Sequence, residues 1–101
     1  MNIVDTMGFQ LKALKIPYER EYLFHPDRKW RLDFALPLDK IGIEVHGGIY
    51  VGGRHTRGKG FERDREKMNE AQLLGWKVLE VTADHVLYGH ALKWVERALG
   101  R

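Results

Sequence analysis

Apolar residues fall at Val4, Met7, Leu11 and Leu14, with Phe9 and Ala13 off the main row. That spacing predicts a helix over 4–15, and Pro17 just beyond it marks a stop. The period then changes. Residues 18–24 read as a strand, and His25-Pro26-Asp27 as a turn. Residues 30–36 alternate, with Trp30, Leu32, Phe34 and Leu36 on one face and Arg31, Asp33 and Ala35 on the other. After Pro37-Leu38-Asp39-Lys40, residues 41–46 form a third strand, giving a hairpin with a loop of about four residues. Residues 47–60 hold six of the eleven glycines and read as a long loop. Phe61, Met68, Ala71 and Leu74 give a helix over 61–74, capped by Gly75. Residues 76–82 are a fourth strand, Thr82 is placed to cap a short turn, and 90–99 form a last helix. The order α-β-β-β-α-β-α predicts an α/β fold, a mixed sheet flanked by helices. The crossover from third to fourth strand makes that pair parallel.

The hairpin register sharpens this picture. With 37–40 as the loop, Leu36 pairs with Ile41, Asp33 with Glu44 and Arg31 with His46. Asp33, Glu44 and His46 then share one face. The other face carries Trp30, Leu32, Phe34, Ile41, Ile43 and Val45 and is core. Two carboxylates directly opposite each other destabilise a sheet unless positive charge lies between them. Oxygen ligands so placed suit Mg²⁺ or Mn²⁺. The plainer alternative is an exposed strand end with solvated acids, which a covering helix 61–74 disfavours.

That helix carries Asp64 in its apolar row and Lys67 one turn later, both placed to reach Glu44 and His46. An ordinary dipole-favoured helix start with a local ion pair would look the same. His55, in Gly53-Arg54-His55-Thr56-Arg57-Gly58, reads either as a solvated loop histidine or as a phosphate contact or proton donor.

Composition narrows the partners. The chain of 101 residues fits one domain over 1–101. It has no cysteine, which excludes disulfides and cysteine-ligated zinc. No apolar run is long enough to span a membrane, and residues 1–15 do not form a secretory signal, so a cytoplasmic location is expected. The net charge is +3, and Arg54, Arg57, Lys59, Arg63, Arg65 and Lys67 fall within fourteen residues. Such a cluster points to a polyanion, unless it is a salt-bridged helix start.

An Asp on the second strand followed by Glu-x-[Lys or variant] on the third resembles the PD-(D/E)XK nuclease superfamily. Here the pattern is Asp33 with Glu44-Val45-His46. The wider text "EYLFHPDRKWRLDFALP", "IGIEVHGGIY" and "GRHTRGKGFERDREKMNEAQLLGWKVLEVT" is similar to small, often phage-borne nucleases related to very-short-patch-repair-like endonucleases. It covers roughly residues 19–82.

The resemblance implies an endonuclease that hydrolyses DNA phosphodiesters with Mg²⁺ or Mn²⁺, held by Asp33, Glu44 and the Val45 carbonyl. It implies contacts to duplex, nicked or branched DNA from Arg54, His55, Arg57, Lys59 and Arg63. His46 stands where relatives carry lysine. It is a base, a metal ligand, or a residue that leaves the task to Lys67. Relatives also bring an acid from the first helix; Asp5 and Gln10 lie in that region, and Glu21 matches family text on the first strand. One site per chain implies nicking, or a homodimer to cut both strands. Against this stand a degenerate nuclease fold that binds DNA without cutting, and a transition-metal enzyme using His46, Glu44 and His55.

Overall fold

A computed structural model of the chain describes residues 1–47 and 58–101. Helix α1 spans Ile3–Ala13, and its first turn is closed by Asn2, whose side chain accepts the Asp5 N–H. Strands β1 (Glu19–Leu23), β2 (Arg31–Leu36) and β3 (Ile41–His46) follow. Helix α2 (Gly58–Leu73) begins three residues before the expected start. Gly75 (φ +90°) ends it in the left-handed conformation that suits a residue without Cβ. Strand β4 (Lys77–Thr82) leads into a helix absent from the sequence expectation, α3 (Ala83–Leu87), and α4 (His90–Ala98) closes the chain. The expected turn at Thr82 is a full capping box. The Thr82 side chain accepts the His85 N–H, and the His85 ring accepts the Thr82 N–H.

The sheet order is β1-β2-β3-β4, antiparallel except for the parallel β3–β4 pair. The expected hairpin register holds at Leu36–Ile41, Ala35–Gly42 and Phe34–Ile43. One face packs on α1, α3 and α4 around Met7, Leu11, Phe34, Ile43, Val81 and Val95. Each such buried side chain contributes about 1.5–3 kcal/mol. The other face lies under α2, with Ala35, Ala71 and Trp76.

Strict alternation fails at one level of the sheet. Leu32 and Trp30, expected beside Phe34, pack instead under α2. The same slip occurs in β1. Tyr18 meets the Phe34 ring edge-on at 5.3 Å and Arg20 lies 4.9 Å above it, yet Tyr22 is on the α2 side against Trp76. The residue between Arg20 and Tyr22 is Glu21, with φ +50°. Both strands switch faces together, so the β1–β2 register is the same on either side. Alternation could not reveal this, because Leu32 and Tyr22 are acceptable in either core. The slip also explains Gly42. A Cβ there would lie 2.7 Å from Leu32 Cδ1, so the switched Leu32 occupies the space a side chain would need.

In the left-handed region any Cβ costs about 1–2 kcal/mol, which Glu21 already bears, and a β-branched side chain is more restricted still. Glu21→Val is therefore expected to be less stable than the wild type, with Glu21→Gly close to neutral because relief of that cost is offset by glycine's entropy, as measured by urea denaturation.

Candidate active site

Beyond Phe34–Ile43 the β2–β3 ladder opens, and the two acids enter the fork. The Asp33 N–H donates to Glu44 Oε2 at 2.8 Å, and the Val45 N–H donates to Asp33 Oδ2 at 2.8 Å. Each carboxylate takes the place of a main-chain acceptor, so the opening leaves neither amide unsatisfied. The acids do not simply face each other with unrelieved repulsion. They are interlocked through backbone donors.

Glu44 is 5% exposed, the one charged residue in the buried class among the described residues. Lys67, on α2, donates from Nζ to Glu44 Oε1 at 2.6 Å. Burial nonetheless pushes the Glu44 carboxyl above its ordinary value. The Lys67 hydrogen bond and charge pull it down, the Asp33 charge raises it, and the Asp33 N–H lowers it. A raised folded-state pKa means that stability is greatest below the ordinary 4.5 and is lost as pH climbs through the folded value. In the presence of a chelator, Glu44→Gln is thus expected to gain stability over the wild type as pH rises from about 4.5 towards 8. Urea unfolding across that range measures it, and a constant difference contradicts it.

The remaining expected residues are distributed around this centre. His46 is half-buried, and its Nε2 lies 3.1 Å from Glu80 Oε1, not on Glu44. Glu80 is the β4 partner of Glu44 in the parallel register and also lies 3.9 Å from Arg65 Nη2. Asp64 pairs with Arg65 rather than reaching Glu44. Asp5, an expected first-helix acid, faces Arg20 at 3.5 Å instead of the fork. Gln10 donates to the Val86 carbonyl. Glu21 is exposed and marks the face switch. Lys59 and Arg63 are exposed at the start of α2. Arg54, His55 and Arg57 lie outside the described residues. The Glu80 position was missed because "WKVLEVT" reads as a strand with one solvent-facing acid. The parallel β3–β4 crossover was the signal that could have placed it beside Glu44.

Four strands, three of them meandering and the fourth parallel, with acids at the opening of β2 and β3, can be compared with known structures. The chain shares its fold with the catalytic domain of the homing endonuclease I-Bth0305I. The TM-score is 0.70 at 21% identity, over 96% of this chain and 91% of that one. The sequence matches no family model and no curated protein. No helix among the described residues is long and apolar enough to cross a membrane.

Proposed function

We propose that this protein is a divalent-metal-dependent endonuclease acting on DNA phosphodiesters, of the PD-(D/E)XK type and akin to very-short-patch-repair-like enzymes. The observation that carries the reading is the fork: Asp33 and Glu44 interlocked between β2 and β3, with Lys67 Nζ 2.6 Å from the buried Glu44. The shared fold with a homing endonuclease catalytic domain supports it.

The donor set fits a hard cation. Among the described residues no three His, Asp or Glu side chains gather into a cage. Mg²⁺, however, is usually held by one or two carboxylates, the other positions going to water and substrate phosphate. Asp33 and Glu44, with the Val45 carbonyl, would hold Mg²⁺ or Mn²⁺. A bound ion there supplies a water of lowered pKa and charge against the phosphoryl oxygens.

The chain's own groups do the rest. Two backbone N–H donors fix the carboxylates. The Lys67 ammonium, held at the mouth of the fork, orients the attacking water and balances charge developing on the phosphate. His46 is committed to Glu80, so Lys67 takes the lysine role of the superfamily. Lys59 and Arg63, with Arg54, His55 and Arg57 of the glycine-rich segment, contact DNA phosphates, and His55 protonates the leaving oxygen. A single chain nicks one strand, and two copies are needed to cut both.

Cleavage of plasmid, branched and single-stranded DNA with Mg²⁺ or Mn²⁺ tests the proposal. Cutting that stops on chelation and in Asp33→Ala supports it. DNA binding without cutting, or cutting undiminished in Asp33→Ala, overturns it.

A further inference from the structure

The turn between β1 and β2 is fixed far more firmly than a surface turn needs to be. His25 Nδ1 accepts the N–H groups of Asp27 at 3.1 Å and Arg28 at 3.0 Å. Its proton is therefore on Nε2, which donates to Glu70 Oε1 of α2 at 2.9 Å. The His25 side chain is only 10% exposed. Arg28 adds a second tie to α2, 3.2 Å from Glu66 Oε2, while its guanidinium lies 3.9 Å over the Trp30 ring. Trp30 in turn stacks on Phe24, with ring planes 16° apart. Glu66 precedes Lys67 on α2, so the turn is tied to the same helix that carries Lys67 to Glu44.

This anchored turn also displays a surplus of positive charge. Residues 25–31 hold Arg28, Lys29 and Arg31 against a single acid, Asp27. Lys29 and Arg31 are exposed, and neither meets a carboxylate within salt-bridge distance among the described residues. Arg31 opens β2 two residues before Asp33. Lys59 and Arg63 are exposed at the start of α2, whose Arg65 lies 3.9 Å from Glu80 on β4, whereas the turn joins β1 to β2 at the other end of the strand order.

We infer that Lys29 and Arg31, carried on the His25-anchored turn, form a second phosphate-binding wall, so that DNA is gripped from both flanks of Asp33 and Glu44. The inference rests on the nuclease reading for its substrate and extends it by assigning a surface outside the glycine-rich segment. Cations on an ordered turn have their backbone already fixed, so docking them costs less ordering than docking a flexible basic tail. The contacts are to phosphate and carry no base preference.

Each phosphate neutralised adds about 0.9 to the slope of log affinity against log salt on duplex DNA. Binding of a 30-base-pair duplex, followed by fluorescence anisotropy in a chelator between about 50 and 200 mM salt, gives that slope. Lys29→Ala/Arg31→Ala is expected to reduce it by about 1.8, so the wild type loses roughly twelvefold more affinity across the range than the variant. The reduction is equal for unrelated sequences. Lys12→Ala/Lys93→Ala, exposed positions on α1 and α4, leaves the slope unchanged. An unchanged slope in the first pair, with a wild-type thermal transition, overturns the wall, as does a wild type that binds no duplex. The two readings separate cleanly. Cleavage with an unaffected slope removes the wall and keeps the nuclease, whereas a reduced slope without cleavage does the reverse.

Discussion

Glu44→Ala is expected to lower the rate of DNA cleavage by on the order of 10³-fold, about 4 kcal/mol of transition-state stabilisation. Two losses combine in this one change. The carboxylate with the least solvent around it disappears, and with it the oxygen that accepts the Asp33 N–H. The second loss leaves the Asp33 amide without its acceptor and loosens the strand that carries the other acid, so the effect is expected to exceed that of a ligand held by its side chain alone. Glu44→Gln separates the two. It retains an acceptor for Asp33 but presents no charge to a cation, and is expected to be about as inactive as alanine while folding more stably at neutral pH. Initial rates on supercoiled plasmid measure the activity, and chelator-present unfolding measures the stability. A glutamine variant that cuts at more than about a tenth of the wild-type rate contradicts the assignment of Glu44 as a metal-holding residue.

Lys67→Ala is expected to reduce the single-turnover rate by about 10²–10³-fold with little change in DNA affinity, because the ammonium acts on the reacting groups and not on distant phosphates. His46→Ala is expected to change the rate less than about tenfold. The contrast follows from where the two nitrogens lie. Lys67 Nζ is 2.6 Å from Glu44, whereas His46 Nε2 is engaged by Glu80 on the neighbouring strand. Rapid-quench measurements on both variants, each with its DNA Kd, decide between them. If His46→Ala is the slower enzyme, the histidine is the base, and Lys67 serves mainly to neutralise a buried acid.

Much of this arrangement was legible in the chain. The Leu36–Ile41 register followed from a four-residue loop and a period of two, and it brought Asp33 and Glu44 to one level. Lys67 stood out because helical spacing placed it one turn from an acid in the apolar row. What could not be read is equally specific. The face switch at Glu21 and Asp33 is invisible to a hydrophobic pattern, since it exchanges one core for another. The interlock of carboxylates with main-chain amides depends on strands parting, which no residue type announces. Asp5 shows a different limit: a helix fixes which face a residue lies on, but not which element crosses it, and here Arg20 does. Helix α3 is hard to read in the sequence because its capping box uses histidine where glutamate or glutamine is usual.

The interlocked fork also bears on when the site becomes ordered. A free aspartate or glutamate must give up its rotational freedom each time it closes on a cation, a loss of up to about 1.5–2 kcal/mol for a long side chain. Here the Asp33 and Glu44 side chains surrender it during folding, because each completes the other strand's hydrogen bonding. The entropy of assembling the centre is thereby moved from the binding step to the folding step. The protein carries a standing cost in stability, and in return both acids stand already in position for the cation proposed to bind there.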